Sequence, residues 1–417
     1  MALIKFKKSI KIVAYGFFTI LSIFLLLKGL WFGPHIDLEP IVPKISFEQP
    51  VHLSFAPNPE KRLMISEKKG VIKWVNFEST KVEGILLDIS DKVYSSGHEE
   101  GLLSARLDPE YPTKPFVYAF YSLDAPKRSR VSRFEIDENF HADPKTELTI
   151  IEVNKFRDTH NGGQILFHKP GIMWISFGDS EASQKIGKDI QNRNSLLGSI
   201  IRIDVSNSTK VNPYAIPKDN PFADSLDGSR AEIWAYGFRN PWRFSYDATS
   251  DTLLVADVGS NLREEVNQVT KGGNYGWPIM EGEVCRNVSY GSCTDSTLQP
   301  PLGSFPRNIA RAVTGAAIYR GTNVPSLKGR IIFADYLRGI MSFEKQKSIV
   351  DTPRIDMYKW PTSRGPNTGE TILISSFQIG PDNELYVVNT EGTLNRVAKL
   401  GLWKQIRGTL YAMLNFK

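Results

Sequence analysis

The sequence predicts an all-β protein, a six-bladed β-propeller, preceded by one N-terminal transmembrane helix. Three observations carry this expectation. A pair of short strands joined by a Pro, Asp or Gly turn recurs about six times along the chain. Between the N-terminal apolar segment and the C-terminal tail, no long amphipathic helical pattern intervenes. The 417 residues include 32 Gly and 25 Pro, with 41% hydrophobic and 23% charged residues, a turn-rich composition long enough for a large core.

The N-terminus comes first. A lysine-rich stretch precedes an apolar run over residues 12–27, which continues past Lys28 to Gly33. About 20 such residues suffice to cross a bilayer as a helix. Lysines before the span hold that end in the cytoplasm, so the body is exported. No small-x-small cleavage site is clear near Phe32, which favours an uncleaved signal anchor over a removed signal peptide. The lysine flank also argues against a buried core helix. The expected division is therefore a signal anchor over 1–33, a propeller over 34–398 and a basic amphipathic tail over 399–417.

The strand pairs follow in order. Leu53 opens one that is completed at Arg62 to Ile65. Leu103 opens the next, completed by Phe116 to Tyr121. Gln164 pairs forward with Ile172 to Phe177, and Phe244 with Thr252 to Ala256. Ala317 is answered by Arg330 to Ala334, and Phe377 by Glu384 to Val388. Repeats of roughly 50–80 residues built from short strands read as propeller blades. A two-sheet sandwich with chance similarity between hairpins is the alternative, and the number of recurrences favours the propeller. Uneven spacing puts insertions in loops, where function usually sits. Polar residues at strand starts have a second reading, as the lining of a central channel.

In the tail, Leu402, Trp403, Ile406, Leu410 and Leu414 fall broadly on one side of a helix. Such a stretch could rest on a membrane surface or pack against the propeller. Cys285 and Cys293 lie close together in one loop, where export makes a disulfide plausible. Two free thiols are the alternative, and a metal pair lacks further ligands nearby. The sequons at Asn207 and Asn287 read as chance occurrences. The formal charge is +6, but Lys5, Lys7, Lys8, Lys11 and Lys28 lie in or beside the apolar segment, and taking those five away leaves +1. A nucleic-acid partner is not expected, because it needs a basic face on the folded body.

Four stretches carry candidate chemistry. His160-Asn-Gly-Gly-Gln164 immediately precedes a strand, which puts His160 at a strand entrance near a channel mouth. A neutral imidazole there can take a proton from a hydroxyl. A lone His is more often structural, and here the Asn-Gly-Gly context shifts the balance towards function. Arg239 and Asn240 precede Pro241, which holds Asn240 extended. An Arg fork suits carboxylate or quinone oxygens, and pairing with an acidic neighbour is its structural alternative. Glu264 and Glu265 follow the turn at Gly259, Ser260 and Asn261, and the Gly-Gly-Asn-Tyr-Gly-Trp-Pro loop around Tyr275 comes next. Carboxylates and backbone carbonyls suit a hard cation such as calcium, with Glu265 and Tyr275 converging on it. Two adjacent Glu are more commonly a solvated acidic pair. His98, Glu99 and Glu100 are consecutive, so their side chains alternate in a strand and suit a metal poorly.

Glu100-Gly-Leu-Leu103, His160-Asn-Gly-Gly-Gln164, Phe238-Arg-Asn-Pro241 and Lys271-Gly-Gly-Asn-Tyr-Gly-Trp-Pro278 resemble, in this order, the glucose/sorbosone dehydrogenase superfamily. It includes the soluble PQQ-dependent glucose dehydrogenases, the aldose sugar dehydrogenases and the propeller of hedgehog-interacting protein. The resemblance runs from about Leu53 to Val397. It implies a six-bladed propeller and oxidation of a sugar substrate at its anomeric carbon, with hydride passing to PQQ. His160 is similar to the family's base and Arg239 to its quinone-binding arginine, with Asn240 beside it. The implied cofactor contacts also take in Glu99, Thr159 and Arg338. Gly259 and Ser260 match positions whose carbonyls hold calcium at the cofactor, and Glu265 and Tyr275 match a further calcium site. Electrons would leave to a respiratory electron acceptor, which suits an enzyme anchored in the membrane and facing the periplasm or cell exterior.

The same comparison shows departures. The family's Arg-x-Arg pair, which holds cofactor carboxylates, falls at Leu373 and Ser375. Its cofactor lysine has only Arg338 as a substitute, and Glu99 stands where the enzymes have Gln. Charged hydrogen bonds are worth about 1.5–3 kcal/mol each, so losing two costs PQQ binding roughly 3–6 kcal/mol unless other cations compensate. The Ile-Ser-Ser-Phe377 segment and Glu100-Gly-Leu-Leu resemble the hedgehog-interacting-protein branch more closely. A non-catalytic calcium-binding propeller that binds a carbohydrate or protein ligand is therefore the second expectation.

Overall fold

The computed structural model describes residues 36–43, 45–57, 61–76, 81–181, 190–344, 355–358 and 372–399. The expected anchor over 1–33 and all but the first residue of the tail over 399–417 lie outside the described residues. Among the described residues, no helix is long and apolar enough to cross a membrane.

Each predicted strand pair is the inner hairpin of one four-stranded antiparallel sheet, and there are six such sheets. Blade 1 holds Pro50–Phe55, Arg62–Glu67, Val71–Asn76 and Lys81–Asp88. Blade 2 holds Leu102–Leu107, Phe116–Leu123, Arg128–Glu135 and Leu148–Asn154. Blade 3 holds Ile165–Lys169, Ile172–Phe177, Ser199–Asp204 and Ile233–Tyr236. Blade 4 holds Pro241–Asp247, Thr252–Asp257, Arg263–Val269 and Gly303–Pro306. Blade 5 holds Val313–Ile318, Ile331–Asp335, Gly339–Phe343 and Ile355–Tyr358. Blade 6 holds Ile374–Ile379, Leu385–Asn389 and Thr393–Lys399, completed by Ile36–Pro40. In that last sheet Ile36 pairs with Lys399 and Pro40 with Asn395, so the two ends of the propeller close it by strand pairing.

The burial pattern follows from the ring. Inner strands are covered on both faces by neighbouring blades, so Pro50–Phe55 and Arg62–Glu67 are buried almost throughout. The outermost strand Lys81–Asp88 is exposed over its first three residues. Successive side chains of one strand serve opposite interfaces. Leu253 and Val255 join Trp174 and Ile200 between blades 3 and 4. Leu254 and Ala256 join Phe333 and Ala316 between blades 4 and 5. Six apolar clusters result, one for each interface between adjacent blades. Fully burying a Leu, Ile or Phe contributes about 1.5–3 kcal/mol, so the core is distributed around the ring.

Polar side chains stitch the inner strands together. Ser54 Oγ donates to Ala105 O at 2.8 Å, joining blades 1 and 2. Ser104 Oγ accepts Ile165 N–H at 3.1 Å, and the Gln164 amide pairs with the Phe244 backbone. Ser245 Oγ donates to Ala316 O and Thr314 Oγ1 to Ile374 O, each at 2.7 Å. Ser375 Oγ to Pro50 O at 3.3 Å closes the circuit. A short hairpin, Met280–Glu281 with Val284–Cys285, is inserted in blade 4 and carries the Cys285–Cys293 disulfide.

Candidate functional site

A recurrent device at one end of the strands explains how the site is built. In blades 1, 4, 5 and 6 the second strand ends in an acidic or amide residue that accepts backbone N–H groups from the loop entering the first strand. Glu67 accepts from Glu48, Asp335 from Arg311 and Ala312, and Asn389 from Leu373. Asp257 accepts from Arg239 at 3.0 Å and Asn240 at 2.6 Å, which fixes the Arg-Asn pair ahead of Pro241. Blade 3 has Phe177 at the end of its second strand, and its acid lies two residues beyond. Asp179, just past Phe177, accepts instead from the side chain of His160.

Asp179 is fully buried, and its Oδ1 lies 2.5 Å from His160 Nδ1. The same carboxylate accepts the Trp277 indole N–H at 2.8 Å and the Glu181 amide at 2.8 Å. Burial pushes its pKa up, but the bonds from His160 and Trp277 and the charge of Arg239 win and hold it below the ordinary aspartate range. On the other side of the imidazole, Arg239 Nη2 lies 2.7 Å from Nε2. A guanidinium only donates, so Nε2 is the acceptor and Nδ1 carries the proton to Asp179. The ring's tautomer is thus set by its two partners.

The backbone around His160 is constrained to match. His160 has φ +51°, a left-handed conformation that costs a non-glycine residue about 1–3 kcal/mol. Its N–H donates to Glu99 Oε2 at 2.7 Å and its carbonyl accepts from Ser180. Gly178 passes so close that a Cβ would lie 2.2 Å from His160 O. Asn240 Oδ1 accepts Gly162 N–H at 2.9 Å, and its Nδ2 reaches Glu99 Oε2 at 3.2 Å. Arg239 also donates to Val258 O at 2.8 Å, so its fork spans the base and blade 4. Thr159 Oγ1 donates to Glu181 at 2.8 Å, a supporting contact one residue from the base.

Beside this cluster, a cavity of about 210 Å³ opens at the channel mouth. Glu99, Asn240 and Val258 line it, and through them it adjoins His160 and Arg239, which are not on its wall. Val51, Leu103, Trp242 and Ser375 are further lining residues. Among the described residues, Lys68 is the one lysine or arginine on the wall, against the carboxylates of Glu99 and Glu100. Lys127 and Lys155 offset Glu100 at 3.0 and 3.5 Å. Ser375 spends its hydroxyl on backbone carbonyls, and Leu373 N–H on Asn389. Arg338 is half-buried and does not line the cavity, although Tyr336 of the same turn does.

The expected calcium positions divide. Gly259 is required where it stands, since a Cβ would fall 1.5 Å from Arg263 O. The turn it opens wraps a carboxylate: Ser260, Asn261, Leu262 and Arg263 all donate N–H to Glu281 Oε1 at 2.8–3.1 Å. Glu264 and Glu265 are both buried rather than solvated, because they face opposite sides of an inner-sheet strand. Burial pushes Glu265 up to about 7, with Glu281 and Glu283 adding to it against its bond from Asn267. The Tyr275 side chain is engaged away from Glu265. Its ring stacks on Phe238 at 4.5 Å, and its hydroxyl donates to Gln268 O and accepts from Thr270. Among the described residues, no group of three or more His, Cys, Asp or Glu is placed to hold a metal ion.

The structure therefore brings His160, Arg239, Asn240 and Glu99 together, while Arg338 is not among the residues lining the adjoining cavity. Sequence reasoning missed Asp179, the Trp277 indole as its partner, and Glu281. Asp179 carried no such strand-end signal, because it lies two residues past Phe177, whereas Glu67, Asp257 and Asp335 are the last residues of their strands.

A model of the Glucose / Sorbosone dehydrogenase family matches residues 47–396. HIPL1 protein of Arabidopsis thaliana is 31% identical over 268 residues, 56% of this chain and 38% of its own length. The chain thus spans well under half of the first curated relatives it matches. Aldose sugar dehydrogenase YliI of Escherichia coli is 25% identical, over 90% of this chain and 96% of that one. In fold, the chain resembles the PQQ-bound form of an aldose sugar dehydrogenase from Streptomyces coelicolor. The TM-score is 0.64 at 20% identity, over 88% of this chain and 98% of that one. With its propeller and its family match over most of its length, the chain belongs to the glucose/sorbosone dehydrogenase family.

Proposed function

We propose that this chain is a membrane-anchored sugar dehydrogenase that oxidises an aldose at its anomeric carbon, with PQQ as hydride acceptor. Calcium beside the cofactor and a respiratory electron acceptor complete the proposal, with the body facing the periplasm or cell exterior. The observation that carries it is the Asp179–His160–Arg239 line, with separations of 2.5 and 2.7 Å. Such an arrangement prepares Nε2 to accept a proton.

The residues at the reacting end suit the cofactor. Arg239 and Asn240 are donors held beside the base, as a quinone oxygen requires. At the carboxylate end, Lys68 is the cation on the cavity wall. PQQ, when bound, supplies the two-electron acceptor for the sugar's C1 hydride. The chain's own residues do the rest. The sugar hydroxyl displaces Arg239 from His160 Nε2 and gives its proton to that atom. Asp179, kept ionised, then stabilises the imidazolium. The released Arg239 donors face the oxygen on which negative charge develops. Trp277 holds the second carboxylate oxygen, so Asp179 cannot rotate away from the ring.

The test is dye-coupled turnover of the full-length protein supplied with PQQ, calcium and a panel of aldoses. His160→Asn should abolish turnover while leaving the fold intact. Full activity in that variant would show that His160 is not the base. The binding-propeller reading is favoured by Leu373, Ser375 and the Glu99–Glu100 wall. It predicts that PQQ absorbance is unchanged on mixing with the protein, whatever sugar is present.

A further inference from the structure

We propose that the propeller's axial channel, beneath the cavity floor, holds a small monovalent anion of the chloride class between Arg243, Arg106 and His52. Arg243 is 1% exposed and His52 is fully buried. Arg243 Nη2 donates to Leu103 O at 2.9 Å and Val51 O at 3.2 Å, and Nη1 to Trp242 O at 2.9 Å. These acceptors belong to residues that line the cavity, so the guanidinium sits under its floor. Arg106 Nη2 donates to Gln378 Oε1 at 2.7 Å. That turns the Gln378 amide nitrogen to His52 Nε2, at 3.5 Å.

The charge balance calls for an acceptor. Among the described residues, no carboxylate forms an ion pair with Arg106 or Arg243. Burial lowers both guanidinium pKa values, to about 10 and about 9, which still leaves both charged at pH 7. Burial, then the charges of Arg106 and Arg243, holds His52 well below the usual histidine range, so it stays neutral. With Nε2 accepting from Gln378, its proton is on Nδ1. Arg243 Nε, Arg106 Nε and His52 Nδ1 are all buried with no hydrogen-bond partner. Ser376 Oγ, on the same strand face as Gln378, is also without one. Two buried positive charges and three unmatched N–H donors, with no carboxylate paired to them among the described residues, select a ligand that accepts and carries negative charge. Arg106 is half-buried, which leaves an approach for the ion along the axis.

The experiment uses the full-length chain. Thermal unfolding is compared in sodium chloride and in sodium methanesulfonate at equal ionic strength, and bromide-grown crystals are examined at the bromine absorption edge. Chloride should raise the midpoint saturably, by about elevenfold in the folding equilibrium at ten times its Kd. The anomalous peak should lie within hydrogen-bond distance of Arg243 Nε or Arg106 Nε. Arg106→Gln should abolish the chloride-specific shift and the peak. If that variant does not fold, the wild-type bromide map decides. Equal midpoints in the two salts with no axial peak, or peaks only on the outer surface, would overturn the proposal in favour of a hydrated channel.

Discussion

Asp179→Asn puts the base's support under the sharpest strain. The wild-type carboxylate accepts three bonds, two on Oδ1 from His160 and Glu181 and one on Oδ2 from Trp277. Asparagine has one acceptor atom and one donor group at those places. If its carbonyl faces His160, its NH₂ meets the Trp277 N–H, donor against donor. If its carbonyl faces Trp277, its NH₂ meets Nδ1 and drives the proton to Nε2, the atom that must accept. Either orientation leaves a buried mismatch worth about 2–4 kcal/mol. The second also removes general-base catalysis, a factor of about 10²–10⁴ in turnover. Urea denaturation at pH 7 reads the first quantity, and single-turnover sugar oxidation reads the second. Asp179's folded pKa lies below its unfolded value, so its contribution is fully present above about pH 4 and lost as pH falls through the folded value. The gap between wild type and variant should thus be level from pH 5 to 7 and close only in more acid solution. A variant equal to wild type in both stability and turnover would refute the reasoning.

Two further predictions concern the Gly259 turn and the inserted hairpin loop of blade 4. Glu281→Ala leaves four amide donors around one missing oxygen and should cost about 3–5 kcal/mol in urea denaturation, with Glu281→Gln recovering part of it. Equal stability of the Ala variant and wild type would show that the wrapped carboxylate does not hold the turn. Replacing both Cys285 and Cys293 with Ser should lower stability by about 2–3 kcal/mol in the chain-entropy model, because the closed loop is short. An unchanged denaturation midpoint would contradict it.

The inner architecture was legible because inner strands are buried on both faces and carry strong apolar runs. All six strand pairs read from sequence are inner hairpins of the six blades. Outer strands were less visible: Lys81–Asp88 is exposed over much of its length and shows little pattern. The closing strand Ile36–Pro40 has five residues, and its partner lies at the far end of the chain, so local reading cannot find it. At the site, His160, Arg239 and Asn240 stood out through their Gly and Pro neighbours. Asp179 did not, because Gly178-Asp-Ser180 after a strand reads as an ordinary turn. Its importance comes from the His160 loop folding back over it, a contact 19 residues away in the chain. Glu264 and Glu265 show the limit from the other direction. Adjacent acids usually sit in water, and here the blade packing on both sides buries them.

Transfer of the anomeric hydrogen is the central claim, and isotopic substitution at that carbon tests it most directly. The full-length protein, supplied with PQQ and calcium, is given an aldose carrying hydrogen or deuterium at C1, and dye reduction is followed. The account predicts turnover that is slower with deuterium and absent in His160→Asn. No turnover with either sugar, and cofactor absorbance unmoved by adding them, would contradict it.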